Sequence, residues 1–327
     1  MSVTVLKPGL LSSLQDGGRP GHAALGVGRA GAMDNPAWQL ANALVGNHQG
    51  EAAIECTLLG PSLRFEHAAV IALTGAPITA HVGNVPIPMW TSCHVPRGSV
   101  LQLGGMAHGC RTYVAVRGGL DVTPVLGSRS SDLHARIGHE QGRALRAGDI
   151  LPVGIATPLP ALQNGDVVRP LHWSLDPQPW FHVETRPLAL VRGSHWSHLD
   201  ETSRQYLNGG TFVLSKDSNR TAGRLDGHAL RLQVPLELIS EAALPGTLQL
   251  PPSGQPIVLL AEAPVTGGYP RIGQIAAVDL TRLAQLRPGD TVCFQENTLD
   301  EALARLRARQ QRLTQLLETI AQRLGHD

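Results

Sequence analysis

The sequence predicts a mainly β protein. Three observations carry this: 36 glycines and 24 prolines punctuate 327 residues, helix-length segments with one apolar face are few, and short aliphatic runs recur between turn residues. In chain order, the turn signal Asp34-Asn35-Pro36 opens a short apolar-faced helix from Pro36 to Val45, which Gly46 stops. Strands are expected at Val70–Thr74 and Thr112–Val116, then at Leu188–Arg192, Thr211–Ser215, Ala229–Val234, Ile257–Ala261, Ala276–Asp279 and Thr291–Gln295. Leu230 to Val234 alternates with period two, as a half-buried strand does. Ser197 to Asp200 has capping-box spacing and opens a helix ending near Gly209, and Asp279 can cap one further turn that Pro288-Gly289 terminates.

The last 30 residues differ in kind. Leu299, Leu303, Leu306, Leu313, Leu317, Ile320 and Leu324 fall on one heptad seam, with arginines at 305, 307, 309, 312 and 323 off it. Such a helix either packs on its own body or pairs with another chain, a second copy included. A short internal echo also stands out: Leu145-Arg-Ala-Gly-Asp149 returns as Leu286-Arg-Pro-Gly-Asp290, each before a strand-like segment. It reads as two similar β units or as convergent turn chemistry. A proline-rich polar stretch between them marks the junction.

Composition excludes several classes. The net charge is +1 and 16% of residues are charged, so no basic stripe tracks a nucleic-acid backbone. Lys7 and Lys216 are the only lysines, which weakens Schiff-base and Walker-type readings. Cys56, Cys93, Cys110 and Cys293 show neither C-x-x-C nor zinc spacing and are expected to be reduced and buried. Met1 to Leu11 lacks a basic stretch before an apolar core, and no apolar run reaches spanning length, so the expected location is the cytoplasm.

Several motifs fail on inspection. Gly26-Val-Gly-Arg-Ala-Gly31 matches G-x-G-x-x-G, with Glu51 twenty residues on, but a loop precedes it where a dinucleotide fold needs a strand. His195 and His198 lack a third ligand at a diagnostic spacing. Cys110, Ser128 and Ser130 sit in no nucleophile signature.

Polar residues set in glycine loops remain. They are Asp16 and Arg19 in Gln15 to Gly21, Asp34 after Gly31, Arg117 to Asp121 with Ser128 to Ser130, and Arg220 with Arg224. The last cluster, residues 240–273, contains Gln249, Gln255, Thr266, Gly267, Gly268 and Tyr269, and Gly246 and Gly254 precede the expected strand at Ile257. Glycine lets a ligand approach the main chain, and successive amides can form an anion-binding concavity. Arginine binds carboxylate bidentately, and aspartate can act as base or hold the arginine. For any single one of these residues, the structural role of locking a turn is favoured.

Taken together, the chain resembles the biotin-dependent carboxyltransferase-like family, which includes allophanate hydrolase subunit 2 and the C-type subunit of bacterial 5-oxoprolinase. The resemblance runs from Val3 to about Gln295. It is carried by Leu14 to Gly21, Gly31 to Asp34, Leu40 to Asn42, Leu44 to Asn47, Glu55, Leu73 to Ala76, Gly127 to Ser130, and Leu145 to Asp149. In the second half Ser218 to Arg220, Arg224-Leu225, Pro245 to Gln249, Pro251-Pro252, Gly254 to Pro256, Thr266 to Pro270 and Gln285 to Asp290 continue it.

The resemblance implies two cyclophilin-like β-barrel domains, at 1–165 and 181–296, joined by a linker at 166–180 and followed by a C-terminal helix at 297–327. It also implies a choice of roles. One is a subunit of an ATP-dependent 5-oxoprolinase, a hydrolase that opens 5-oxoproline to glutamate with two further subunits, A-like and B-like. ATP could then be held by a partner. Another is a carboxyltransferase component passing carboxyl from carboxybiotin to a urea-like acceptor, with biotin as cofactor. A third is a regulator that binds a kinase-inhibitor-like partner.

On the first role, Gly267 and Gly268 amides, Thr266 and Gln249 are expected as oxyanion donors. Arg19 and Arg220, with Tyr269 nearby, are expected to bind substrate, and Asp16 or Asp34 to serve as base or orienting carboxylate. No metal is expected. The chain departs from the family's usual pattern at Thr221-Ala222 and at Glu262-Ala263-Pro264-Val265, and the second departure removes an amide and a hydroxyl beside the site. It has no biotin-acceptor lysine motif or carboxylase domain, which excludes a self-contained biotin enzyme.

Overall fold

The computed structural model describes residues 1–156, 165–181 and 186–326. They divide into two compact units. The first comprises Met1–Arg19, Asp34–His182 and Leu313–Asp327, and the second Pro20–Met33 and Val183–Arg312. This is not the contiguous division that the resemblance implies. Residues 20–33 belong with the second half, and the segment expected as a linker is built into the first unit. There Arg169–Pro170 pairs with Ser92–Val95, and Leu171 and Trp180 are buried.

In the first unit two antiparallel six-stranded sheets form. One runs Ile150–Pro152, Ser2–Lys7, Ser62–Phe65, Val100–Met106, Ile78–Val82, Val85–Pro86. The other runs Arg169–Pro170, Ser92–Val95, Ala69–Gly75, Arg111–Val116, Ala53–Thr57, Leu11–Gln15. Aliphatic residues from both, including Val3, Val5, Leu63 and Leu101 with Ile54, Leu73 and Val114, make one continuous core. Helix α1, Asn35–Leu44, begins one residue before the expected Pro36. The Asp34 carboxylate accepts from Ala37 N at its N-terminus, and Gly46 follows the end at φ 67°.

The second unit is a closed barrel in the order Leu188–Arg192, Arg271–Ile275, Thr247–Gln249, Ile257–Leu259, Ala222–Asp226, Thr211–Leu214, Thr291–Glu296. It closes through a parallel pairing of its first and last strands. Phe212, Phe294, Leu248, Ile272 and Met33 lie in its core. A separate two-stranded ribbon pairs Glu241–Ala242 with Thr266–Gly267.

Several expected elements take a different form. Ala229–Val234 forms only an isolated bridge at Leu232, and Val234 is exposed, so its alternation reflects an extended surface segment. Ala276–Asp279 is instead a 3-10 turn, Ala277–Asp279. The turn at Ser197 belongs to another 3-10 turn, so helix α2, Glu201–Leu207, is capped by Asp200, whose carboxylate accepts from Ser203 N at 2.7 Å. Helix α3, Leu280–Ala284, ends short of Pro288, and the Asp279 side chain makes no cap bond. It accepts instead from Ala189 N at 3.0 Å and from Arg305 at 2.9 Å.

The echo is structural. Arg146 N donates to the Asp149 carboxylate at 2.8 Å, and Arg287 N to that of Asp290 at 2.7 Å. Gly148 and Gly289 have φ of 92° and 93°. Their amides donate to Val5 O and Leu214 O, each 2.8 Å away. Each unit therefore uses the same β-turn, in which the Asp amide also donates back to the Arg carbonyl, to lead into its strand.

The C-terminal helix α4, Leu299–His326, uses its seam within the chain. Leu313, Ile320 and Leu324 are buried, Ala302 packs with Ala189 and Ala276, and Arg309 donates to Val278 O and Thr281 Oγ1. Only the start of the seam, at Leu299 and Leu303, is exposed. Among the described residues no helix is long and apolar enough to cross a membrane.

Candidate functional site

In the first unit a row of polar residues crosses one sheet: Ser13, Glu55, Tyr113 and Thr74 are successive cross-strand partners. Period-two alternation puts them on the face opposite Leu14, Ile54, Val114 and Leu73, and α1 packs over that face. The Tyr113 hydroxyl donates to Glu55 Oε2 and accepts from Asp34 N, both at 2.7 Å. Thr74 Oγ1 donates to Ala37 O at 2.6 Å, and Arg111 Nε lies 3.6 Å from Glu55 Oε1. Burial, then the neighbouring Glu55 and Asp34 carboxylates, push the Tyr113 hydroxyl well above its ordinary value, which keeps it protonated as a donor. Asp34 thus fixes the start of α1.

Asp16 lies on the loop after Leu11–Gln15. Its carboxylate accepts from Gly18 N (2.8 Å), Ser128 Oγ (2.6 Å), Ser130 Oγ (2.5 Å) and Arg129 N (2.6 Å). The fully buried Arg19 guanidinium donates to Ser130 O, and Gln15 Nε2 donates to Ser131 O at 2.9 Å. The structure brings Asp16 and Arg19 together, and what they grip is the Ser128–Ser131 loop. Four donors, two backbone amides and two serine hydroxyls, converge on this carboxylate and hold the loop in place.

The second unit holds the other predicted residues. Arg220 Nε pairs with Glu262 Oε1, Arg220 Nη2 donates to Gly31 O at 2.7 Å, and Glu262 N donates to Arg220 O at 3.0 Å. Both side chains are buried. The Arg220 charge is therefore met inside the chain, and the departure at Glu262 supplies its counter-ion.

Gln249, Thr266, Gly267, Gly268 and Tyr269 meet around the ribbon. Gln249 ends its strand opposite Arg271 at a bulge. Its side chain is 3% exposed, and Nε2 has no hydrogen-bond partner among the described residues. A Cβ at Gly267 would lie 2.5 Å from that nitrogen, so only glycine leaves room for the amide. Gly268 is exposed, and a Cβ there would make ordinary contact with Leu238 O and Ser240 Oγ; Thr266 is exposed, and Tyr269 is 45% exposed. A buried amide donor left unsatisfied against an exposed ribbon is a feature that packing alone does not explain, and the buried Arg271 Nε beside it is unsatisfied too among the described residues.

Charged groups that the sequence reading did not single out flank it. Arg271 Nη1 donates to Ala242 O at 2.8 Å, and Nη2 donates to the Glu241 carboxylate. Arg271 N donates to His195 Nδ1 at 3.1 Å, which fixes Nδ1 as the acceptor and Nε2 as the protonated nitrogen. Burial is the main cause that lowers the His195 pKa; Glu241 pulls it up, while Arg271 and His198 push it down. Arg271 and Glu241 both lie within residues 240–273, but nothing in their spacing shows that the ribbon pairing joins them. The His195 and His198 ring centroids are 6.0 Å apart, and no metal-binding group of three or more His, Cys, Asp or Glu occurs among the described residues.

A closed barrel carrying this ribbon, in a chain that also holds a two-sheet unit, defines a mainly β protein. The chain belongs to the carboxyltransferase domain family, subdomains A and B, whose model matches residues 25–296. It is 37% identical to the C-type 5-oxoprolinase subunit of Escherichia coli (strain K12), over 99% of each chain. It is 34% identical to the corresponding 5-oxoprolinase subunit of Haemophilus influenzae, covering 90% of this chain and 91% of that one. Among solved structures it resembles the Kluyveromyces lactis urea carboxylase with a TM-score of 0.84 at 27% identity. That match covers 95% of this chain and 29% of the carboxylase.

Proposed function

We propose that the chain is the C-type subunit of an ATP-dependent 5-oxoprolinase, working with A-like and B-like partners in the cytoplasm. The observation that carries this is the end-to-end similarity to the C-type 5-oxoprolinase subunit, where the urea carboxylase likeness covers only a fraction of a larger protein. Opening the lactam breaks its C–N bond and adds water across it, and negative charge develops on the carbonyl oxygen. Preorganised donors in a dry site stabilise such charge.

The Gln249 amide, held against Gly267 and without a partner among the described residues, is the donor best suited to this, with Thr266 and the Gly267 and Gly268 amides on the exposed side. Arg271 is the guanidinium beside the ribbon, and because its pair with Glu241 is partly exposed where the Arg220–Glu262 pair is buried, it is the better candidate for orienting a carboxylate. ATP supplies the driving force. Its phosphates find no ready cradle in the glycine run at 26–31, because the next helix carries the Asp34 carboxylate on its N-terminus. Nucleotide binding therefore falls to a partner subunit in this reading.

The test is glutamate release from 5-oxoproline and ATP by this chain with and without the two partner subunits. Activity that needs all three is expected. Replacing Gln249 by Ala should then lower kcat by about 10²–10³, the usual loss of one oxyanion donor. An assembled but inactive complex would move the function to carboxyl transfer, in which the same amide would face the ureido oxygen of biotin. The family match to carboxyltransferase domains favours that second reading.

A further inference from the structure

Leu248, Leu250 and Ile272 belong to the barrel core, so their neighbours Gln249 and Arg271 project from the opposite face of the wall. The two are partners where Thr247–Gln249 pairs with Arg271–Ile275. Both side chains end at one rung of the ribbon. Gln249 Nε2 lies against Gly267, and Arg271 Nη2 donates to the carboxylate of Glu241, the residue that pairs with Gly267.

Arg271 is held from both ends. Its main-chain N donates to His195 Nδ1 at 3.1 Å, and Nη1 donates to Ala242 O at 2.8 Å. Between these anchors, Nε is buried and has no hydrogen-bond partner among the described residues, and the same is true of Gln249 Nε2. A buried donor left unmade is costly, more so on a charged group. Two such nitrogens reaching one ribbon rung from paired strand positions would both be satisfied by a single acceptor oxygen between them.

We propose that Arg271 Nε and Gln249 Nε2 form a two-donor site for one carbonyl oxygen of a planar cyclic amide, which makes Arg271 a second oxyanion donor. Nε carries one hydrogen and so takes one oxygen, whereas the outer fork of a guanidinium suits a carboxylate. Glu241 meets the guanidinium charge from outside, so the inner side suits a neutral carbonyl whose oxygen gains charge only during reaction. The catalytic role rests on the oxoprolinase reading; the binding geometry does not.

The neutral lactam γ-butyrolactam and its thio analogue probe the site in nitrogen–proton correlation spectra of the full chain's side chains. The Gln249 Nε2–H and Arg271 Nε–H resonances, assigned from Gln249→Ala and Arg271→Lys, should move downfield along one saturation curve with the lactam. The thiolactam, a poorer acceptor, should move them less. Arg271→Lys keeps the charge and loses Nε, so lactam affinity should fall by about tenfold to a hundredfold. Gln249→Glu leaves the ribbon anchors of Arg271 in place; its carboxylate should take Nε, shift that resonance without ligand and abolish lactam binding. An Arg271 Nε–H resonance that stays still with lactam and in Gln249→Glu, unchanged lactam affinity in a folded Arg271→Lys chain, or no saturable shift in the wild-type chain would each overturn the proposal. Lactam binding in this geometry without glutamate release by the assembled complex would instead sink the oxoprolinase reading alone.

Discussion

Arg220 shows how a residue that reads as a substrate clamp can have its chemistry used up internally. Its guanidinium is buried with Glu262 and the Gly31 carbonyl. Removing one member of such a pair leaves a buried charge alone, which costs about 3–5 kcal/mol. Arg220→Met should therefore lower stability by roughly that amount in urea denaturation, and Arg220→Met with Glu262→Leu should recover much of it. If Arg220 instead clamps substrate, the single variant should keep its stability and lose substrate affinity.

His195 makes a pH-dependent contribution. Burial holds its folded pKa below 6.5, so an unfolded chain takes up the proton first as pH falls. The stability it contributes is whole above about pH 6.5 and is lost as pH falls through the folded value. Replacing it by Phe should flatten that part of the stability–pH curve measured by thermal melting. An unchanged acid limb would show that Nδ1 is not held unprotonated by Arg271 N.

Among the elements, α1 and the central barrel strands were readable because their signals are local: a cap and a proline for the helix, short aliphatic runs between turn residues for the strands. The failures have a common cause. Ala229–Val234 alternates as a strand should, yet only Leu232 finds a partner, because ladder formation depends on a neighbour that no local pattern specifies. Ser197 had the right spacing for a cap, but Asp200 sits where the chain turns into the helix. The site was legible as a set of residue types and not as a grouping. Gln249 and Gly267 read as members of one glycine-rich stretch, and what joins them is the missing Cβ.

For α4, the seam was visible and its destination was not. Ile320 is 1% exposed, so Ile320→Ala should cost about 2–5 kcal/mol by denaturant titration. Loss of oligomerisation without loss of stability would instead make the helix an intermolecular element.

At the scale of the whole molecule, the duplicated carboxylate-closed β-turn is the firmest sign that the two units are built to one plan. Both copies lead into a strand by the same features: the carboxylate bond, the left-handed glycine and its backbone bond to a neighbouring strand. Under the function proposed above, catalysis belongs to an assembly rather than to this chain alone. The predicted all-or-none requirement for three subunits belongs to that scale, and no point substitution can stand in for it.

Residues 20–33 sit early in the chain yet lie in the compact body of the second half, where Met33 enters the barrel core and Gly31 receives Arg220. The order of synthesis and the order of completion are therefore different. A ribosome releases this strip long before the barrel that needs it exists, so the second body cannot be finished from its own stretch of message. Splitting the gene near residue 183 would separate a lock from its key, and a workable dissection would carry the strip along, as a permuted chain or as a peptide added back.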